Sequence, residues 1–215
     1  MMDPKQRMLL ILETLKTLYP SSQCTLNYHS SFQLLVATIL SAQCTDKRVN
    51  LVTPQLFKKF PDPWKMAAAS LEDIEKLIRS IGFYRNKALF LKEMSMDLIK
   101  RYQGNVPKQR SALIQLKGVG RKTANVILAE AFKIPALVVD THVGRISRRL
   151  GFTQSQDPLK VEIDLNQFVP REDWIQYTHL LIDHGRKVCT ARKADCTQCS
   201  LNPLCPKEGV SSIKK

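Results

Sequence analysis

A lysine and an aspartate separated by eighteen positions are the residues of this sequence best suited to covalent chemistry. Lys122 follows a glycine-rich turn, residues 118–121, and is predicted to lie in the first turn of a helix. A cation there faces the positive end of the helix dipole, which favours the neutral amine that a nucleophile needs. Asp140 directly precedes another helical stretch, residues 141–150, so it could simply be the N-cap of that helix. A carboxylate held in this way can also stabilise positive charge in a reaction or help to activate Lys122.

The turn before Lys122 is predicted to join two helices in a tight hairpin. Gly118 and Gly120 suit backbone angles that a Cβ would resist, and they let another backbone come close. The helix after the turn begins with N–H groups that lack helical partners and with a partial positive charge, which together favour a phosphate. We therefore expect Gly118, Val119, Gly120 and Arg121 to contact a phosphate. For a glycine pair alone, an ordinary solvated lysine beside a helix end would be the simpler interpretation.

Four cysteines near the end of the sequence have the spacing of a metal site. Cys189, Cys196, Cys199 and Cys205 form the pattern C-x6-C-x2-C-x5-C. Thiols crowded at loop spacing in a reducing compartment favour a metal over disulfides. Zinc ribbons normally contain two C-x2-C pairs, whereas this segment contains one, so an iron–sulfur cluster held by four cysteines fits better. The remaining two cysteines, at positions 24 and 44, lie outside this spacing and are interpreted as ordinary small core residues.

The glycine hairpin with Lys122, the segment Val-Asp-Thr-His at 139–142 and the terminal cysteines together resemble the endonuclease III family of DNA glycosylase/lyases. The resemblance extends over nearly the whole chain. It implies that Lys122 is the catalytic lysine, that Asp140 is the catalytic aspartate, and that the four cysteines hold a [4Fe–4S] cluster. One departure is Lys117, where relatives usually carry proline. This lysine should loosen the hairpin slightly and add a phosphate contact.

The resemblance also assigns residues that contact double-stranded DNA carrying damaged bases or abasic sites. Gln43, in Ser-Ala-Gln, and Phe83, in Gly-Phe-Tyr, are expected to enter the duplex as the damaged nucleotide flips out. Chemistry on a base requires that it leave the stack, and the vacated space must then be filled. Taken alone, either residue could be a simple helix end. Arg192 and Lys193, in the loop after the first cluster cysteine, are expected to meet phosphates.

The charge of the whole chain agrees with a polyanionic partner. The sequence contains 33 Lys and Arg against 19 Asp and Glu, a formal net charge of +14 over 215 residues. Nucleic acid is the first candidate partner and an acidic membrane surface the second. No apolar run approaches transmembrane length, and the apolar N-terminal segment has the spacing of an amphipathic helix rather than of a signal peptide. We therefore expect a monomeric cytoplasmic protein, associated with the nucleoid if the source is bacterial.

Several other polar residues are predicted to have ordinary structural roles. His142 is interpreted as a hydrogen-bonded interface histidine rather than a catalyst. Arg145, Arg148 and Arg149 recur along the predicted helix after Asp140, and they are most simply a solvated face that could also contact DNA.

The elements that must position these residues are predicted to be helical almost throughout, because no stretch has the alternation of a substantial sheet. The resemblance implies an all-α fold of two helical lobes with a DNA cleft between them. Residues 23–134 would form a six-helix lobe that ends in the helix-hairpin-helix motif. Residues 1–22 and 135–215 would form the second lobe and carry the cluster. Asp140 would then face Lys122 across the cleft.

The predicted function is that of a bifunctional DNA glycosylase/AP lyase of base-excision repair. It would excise oxidised or ring-saturated pyrimidines and cleave the abasic site by β-elimination. An adenine glycosylase of the same fold is one alternative, but such relatives lack the lysine and carry an extra C-terminal domain, whereas Lys122 is present and the sequence ends at Lys215. A non-catalytic iron–sulfur protein that binds DNA is another, and it would require Lys122 and Asp140 to be incidental.

Overall fold

The computed structural model describes residues 2–210, which are almost entirely helical, so the all-α prediction is confirmed. Within this range no strand forms, and the only extended pairing is an isolated bridge between Cys189 and Ala194. None of the helices in the same range is both long and apolar enough to cross a membrane. The α-helices are α1 (Pro4–Leu18), α2 (Ser31–Ser41), α3 (Asp46–Lys59), α4 (Pro63–Ala68), α5 (Leu71–Ile78), α6 (Tyr84–Tyr102), α7 (Arg110–Leu113), α8 (Arg121–Phe132), α9 (Thr141–Arg149), α10 (Pro158–Leu165) and α11 (Trp174–Lys187).

The chain divides into two compact units. The hairpin unit contains Thr25–Ile134 and therefore α2 to α8. The terminal unit contains the described residues before 25 and after 134, with α1 and α9 to α11. Two 3-10 turns, Arg171–Asp173 and Asn202–Leu204, also belong to the terminal unit. Lys122 lies in the hairpin unit, and Asp140 and the four spaced cysteines lie in the terminal unit.

The core of the hairpin unit is built around α2. This helix is apolar on all sides, and its side chains from position 34 to position 40 are all buried. Helices α3, α6 and α8 pack against it, and α4 and α5 pack against α6. Each fully buried leucine or isoleucine contributes about 1.5–3 kcal/mol of transfer free energy. The residues that follow α2 and those that begin α8 are therefore attached to helices anchored in the core.

The core of the terminal unit forms where α1 and α9 pack against α11. The apolar face of α1, including Met8, Ile11 and Leu15, is fully buried in it. Tyr177 on α11 is fully buried as well, and its hydroxyl lies 3.2 Å from the Ser147 hydroxyl of α9. This packing fixes the start of α9, where Asp140 lies, and the end of α11, which Cys189 follows closely.

Side-chain N-caps explain where several helices begin. Thr45 Oγ1 accepts a hydrogen bond from the Arg48 N–H at 3.3 Å, and Ser70 Oγ accepts one from Asp73 N–H at 3.1 Å. Asp157 caps α10, with proline at the first helical position. Each of these bonds satisfies an N–H group that lacks a helical partner, and loss of such a cap typically costs about 1 kcal/mol.

Candidate active site and cluster site

The hairpin before Lys122 is a tight turn between α7 and α8 that depends on one glycine. Gly118 has a φ of +75°, and a Cβ added there would lie 3.1 Å from the Phe90 side chain. Both the left-handed backbone and the contact require glycine at this position. The Val119 N–H donates to Leu116 O at 3.1 Å, and the Val119 side chain is buried, so this residue holds the turn together.

The expectation that Gly120 needs glycine backbone angles is wrong. Its φ of −90° and ψ of 177° are extended values that any residue adopts, and an added Cβ would meet no atom within 4 Å. Gly120 is instead the N-cap of α8, and it makes no side-chain capping bond. The start of α8 is therefore a surface of backbone N–H groups without a capping side chain over it, which suits an anion.

Lys122 lies in the first turn of α8 with its side chain exposed. Two turns of the same helix further on, α8 is buried against α2, so the backbone that carries Lys122 is held rigidly. Lys117, the departure from the family pattern, is also exposed and lies 3.6 Å from a carboxylate oxygen of Glu93. An exposed pair of this kind contributes little to stability, so Lys117 can exchange it for another anion.

Asp140 is the N-cap of α9, which is the structural role that the sequence predicted for it beside a catalytic one. Its Oδ1 accepts hydrogen bonds from the N–H groups of His142 and Val143, both at 2.8 Å. The two bonds fix the carboxyl group at the helix N-terminus, where the helix dipole favours its negative charge. Because Oδ1 makes both capping bonds, Oδ2 is the oxygen left to meet a positively charged ligand. The structural role and a catalytic one are therefore compatible.

The predicted solvated arginine face of α9 is wrong. Arg145 Nη2 donates to Cys189 O at 2.9 Å and to Gly185 O at 3.3 Å, and it lies 3.2 Å from His142 Nδ1. Since a guanidinium can only donate, His142 Nδ1 accepts this bond, and burial lowers the pKa of His142 below its ordinary value. Arg145 therefore fastens α9 to the end of α11 rather than facing solvent.

Arg149 is also buried, and it fastens the loop that follows Cys189. Its guanidinium donates to Cys189 Sγ at 3.2 Å, to Thr190 O at 2.7 Å and to Ala191 O at 3.1 Å. The third arginine of the face, Arg148, donates to Ser155 O at 3.2 Å. These arginines supply donors to loop carbonyls that have no helix or sheet to satisfy them. No local sequence pattern reveals that pairing.

The four spaced cysteines line one cavity of the terminal unit, together with Ile146 of α9 and with Leu150 and Val188, which directly follow α9 and α11. All four are free thiols and half-buried. Burial raises the pKa of Cys199 and Cys205 above the ordinary thiol value. Cys199 Sγ lies 3.6 Å from His184 Nε2, and burial lowers the pKa of His184 to about 4, so a neutral imidazole contacts the thiol. Thiols therefore line a cavity with apolar surroundings. A cationic metal centre bound there would convert these thiols to thiolates.

The four cysteines are not arranged as a single-ion site in the described part of the chain. Among residues 2–210, no group of three or more histidine, cysteine or acidic side chains is arranged to hold a single metal ion. A tetrahedral zinc site requires four ligand atoms within about 2.3 Å of one ion. A cube-shaped cluster holds each cysteine on a different iron, so its ligands surround a wider space. Four cysteine donors are the set that such a cluster uses.

Residues Arg192 and Lys193 lie at the exposed tip of the loop between the first two of these cysteines. The loop is closed by the bridge between Cys189 and Ala194 and by the contacts of Arg149 described above. Thr190 Oγ1 closes the tip by accepting from the Lys193 N–H at 3.2 Å. A loop braced in this way presents two positive side chains at fixed positions.

Gln43 and Phe83 share an unusual backbone conformation in two adjacent loops. Their φ values are +52° and +57°, in the left-handed region that costs a residue with a Cβ about 1–2 kcal/mol. Both side chains are exposed, Phe83 to 64%. The two segments, residues 42–44 and 82–83, are called the left-handed loops below. They adjoin, because a Cβ added to Gly82 would lie 3.8 Å from Gln43 O. Strained backbone with an exposed aromatic side chain indicates a functional surface.

Known proteins share this fold and these motifs. Residues 36–171 match the HhH-GPD superfamily base excision DNA repair protein family. The sequence is 49% identical over 212 residues to the endonuclease III of Synechocystis sp., covering 98% of this chain and 97% of the relative. It is 45% identical to that of Bacillus subtilis, covering 95% and 93% of the two chains. A solved structure of a trapped endonuclease III–DNA covalent intermediate superposes with a TM-score of 0.90 at 44% identity, covering 96% of this chain and 97% of the other.

The fold and the helix-hairpin-helix motif define a base-excision DNA repair protein. Within that class, the chain belongs to the endonuclease III family, whose members it matches at 40–49% identity along nearly its full length. Endonuclease III enzymes are DNA glycosylase/AP lyases, and this chain is one of them. The two alternatives, an adenine glycosylase and a non-catalytic DNA-binding protein, are not favoured by these relatives.

Proposed function

We propose that Lys122 is the nucleophile of a bifunctional reaction on damaged pyrimidine nucleotides. The observation that carries this proposal is the exposed amine of Lys122 in the first turn of α8, next to a hairpin whose helix N-terminus has no capping side chain. Gly118, Val119, Gly120 and Arg121 would present this hairpin to a backbone phosphate of the DNA. The phosphate contact would hold the flipped nucleotide beside the amine.

The proposed reaction releases the base, forms an imine with the sugar, breaks the strand and then frees the enzyme. The neutral Lys122 Nζ attacks C1′ of the sugar, and the bond from C1′ to the damaged base breaks, so the base leaves with the bond's electron pair and is protonated. The attached nitrogen loses a proton, the bond from C1′ to the ring oxygen O4′ breaks, and O4′ takes up a proton, so the sugar opens to an imine at C1′. The imine acidifies the C2′ proton, whose removal expels the 3′ phosphate oxygen by β-elimination and breaks the strand. Water then hydrolyses the imine and restores the amine.

Asp140 would stabilise the positive charge that develops on the sugar while the base leaves. Its carboxyl group is already fixed by two backbone N–H bonds, so it requires no rearrangement during the reaction. Oxocarbenium-like charge on a sugar is stabilised by a nearby carboxylate in glycosidic bond cleavage generally.

The substrates that fit this chemistry are double-stranded DNA with oxidised or ring-saturated pyrimidines, and DNA with abasic sites. The experiment that tests the function incubates the protein with a duplex that carries one ring-saturated pyrimidine. We expect release of the base together with strand cleavage 3′ to the lesion. Base release without strand cleavage would support a monofunctional glycosylase, and cleavage of undamaged duplex would contradict repair specificity.

We also propose that the protein acts as a monomer in the cytoplasm, at the nucleoid.

A [4Fe–4S] cluster bound by Cys189, Cys196, Cys199 and Cys205 is proposed for the cavity of the terminal unit. Four cysteines that line one cavity support this assignment. The cluster would have a structural role, because it would connect the loop of Arg192 and Lys193 to the end of α11. The arginine donor to Cys189 Sγ would stabilise the bound thiolate.

The purified protein is expected to be yellow-brown and to contain iron and acid-labile sulfide in equal amounts. Cys199→Ser is expected to lose the colour and most of its solubility, because the hard serine oxygen is a poor iron–sulfur ligand. Cys24→Ser is the matched control, since Cys24 is also half-buried but lies outside the cysteine spacing; it should keep its iron. Visible absorbance and metal analysis measure both variants. Stoichiometric zinc without iron in the wild-type protein would contradict the cluster.

The loop of Arg192 and Lys193 is expected to bind DNA phosphates. Removing both charges in Arg192→Ala/Lys193→Ala should reduce the slope of log Kd against log salt concentration by about one to two units, because fewer counterions are released. Lys5→Ala/Lys160→Ala removes the same net charge from exposed helix positions of the same unit. Binding titrations at several salt concentrations compare the two proteins. Equal slopes for the two double variants would show that the loop makes no special contact.

A further inference from the structure

A buried lysine connects the two left-handed loops of the hairpin unit. Lys87, on α6, is only 4% exposed, although lysine is among the residues least often buried. Its backbone N–H donates to Phe83 O at 3.0 Å, which is the first helical bond of α6. Its ammonium donates to Leu40 O at 2.9 Å and to Ala42 O at 2.6 Å. One residue therefore binds the backbone of Phe83 and the backbone immediately before Gln43.

The lysine completes the C-terminal end of α2. Thr38 O accepts from the Ser41 hydroxyl at 2.9 Å, and Ser41 O accepts from the Cys44 N–H at 3.0 Å. The carbonyls of Leu40 and Ala42 are the ones that Lys87 satisfies. A cation at this end of a helix is favoured by the helix dipole. Burial lowers the pKa of Lys87, so its ammonium is desolvated and depends on these acceptors.

We propose that Lys87 is a positioning residue that holds the two left-handed loops as one rigid element, so that Gln43 and Phe83 enter the DNA together. The proposal rests on the proposed insertion of those two side chains. Each loop contains a non-glycine residue with a positive φ, and Lys87 bonds both loops directly. The spacing between the two inserted side chains is then set before DNA binds, which lowers the entropy lost on insertion.

Lys87→Met tests this role, because methionine has a similar length and shape but no donor. The measured quantity is the ratio of two excision rates: one on a duplex with a paired ring-saturated pyrimidine, and one on the same duplex whose opposite nucleotide lacks its base. Inserted side chains recover unstacking free energy only when a partner base is present to support. Gln43→Ala and Lys87→Met are each expected to lower the ratio by about tenfold. The double variant should lower it no further, because Lys87 acts through Gln43.

Lys92→Met is the matched control. Lys92 lies on the same helix, and its ammonium donates to Ala69 O at 2.6 Å, at the end of α4 and away from the two loops. This variant loses the same kind of bond, so it should leave the ratio unchanged. A fall in both rates of Lys87→Met by the same factor would show that Lys87 only stabilises the fold and would overturn the proposal. The proposal would also be overturned if the double variant lowered the ratio by the product of the factors found for Gln43→Ala and Lys87→Met.

The outcome separates this proposal from the function on which it rests. An unchanged ratio in Gln43→Ala contradicts the insertion itself, and with it the role of Lys87. A lowered ratio in Gln43→Ala with an unchanged ratio in Lys87→Met contradicts only the role of Lys87. If Lys87→Met fails to fold, Gln43→Ala, Phe83→Ala and their double variant provide the test with Lys87 in place. If Gln43 and Phe83 act as a rigid pair, the rate ratio of the double variant should be no lower than that of the more affected single variant. A double variant whose loss is the product of the two single losses would disprove the proposal.

Discussion

Lys122→Gln is expected to bind an abasic duplex with near wild-type affinity and to form no covalent adduct with it when borohydride is added. The wild-type protein should be trapped, because borohydride reduces an imine to a stable secondary amine between Lys122 and the sugar. Glutamine keeps a similar length and a polar tip, but an amide nitrogen is not nucleophilic. Gel electrophoresis of the trapped protein–DNA species measures the result directly, and binding to the same duplex is measured without borohydride.

The structure indicates that this substitution leaves the fold intact. The Lys122 side chain is exposed, and lysine and glutamine have nearly equal helix propensities, so α8 should be unaffected. Lys133→Gln is the matched control, since it is the same chemical change at an exposed position at the other end of α8. It should be trapped like the wild type. Trapping of Lys122→Gln at the wild-type level would show that another amine is the nucleophile, and an untrapped wild type would remove the lyase step.

Local sequence patterns predicted the features that depend on neighbouring residues. The helical spacing of apolar residues and the cap rules placed Asp140 at the start of α9, and it is the N-cap of that helix. Gly118 was expected to have backbone angles that a Cβ would resist, and its φ is +75°, whereas the same expectation for Gly120 was wrong. The spacing of the cysteines predicted one site, and all four line one cavity. These features are local because each is determined within a few residues of the chain.

Features that depend on partners distant in the sequence were not predictable. The arginines after Asp140 have the pattern of a solvated helix face, yet Arg149 bonds carbonyls more than forty positions later. The left-handed backbone of Gln43 and Phe83 has no glycine or asparagine to mark it. Lys87 has no local signal either, because its two acceptors lie at the end of α2 and just after it, 47 and 45 positions earlier. For the arginines and for Lys87, hydrogen bonds to distant backbone carbonyls override the ordinary preference of a charged side chain for solvent.

Asp140→Asn is expected to retain the fold and DNA binding while losing most of the excision rate. Asparagine is as good an N-cap as aspartate, and its Oδ1 can keep the bonds from the His142 and Val143 N–H groups. The amide replaces Oδ2, so the negative charge that would meet the sugar is removed while the shape stays the same. Removing one well-placed electrostatic stabiliser typically costs about 10²–10³ in kcat. Single-turnover excision of a ring-saturated pyrimidine, with binding and thermal unfolding measured in parallel, tests this expectation.

Asp157→Asn is the control for the capping chemistry. Asp157 caps α10 in the same unit by accepting from the Leu159 N–H at 2.8 Å, so the substitution makes the same change at another helix start. It should keep the wild-type rate and stability. The contrast separates charge from capping: a lower unfolding temperature in Asp140→Asn would indicate that the charge stabilises α9 through the helix dipole. An excision rate within a few-fold of wild type would show that the Asp140 carboxylate is only a helix cap, since about 1.4 kcal/mol corresponds to a tenfold change in rate.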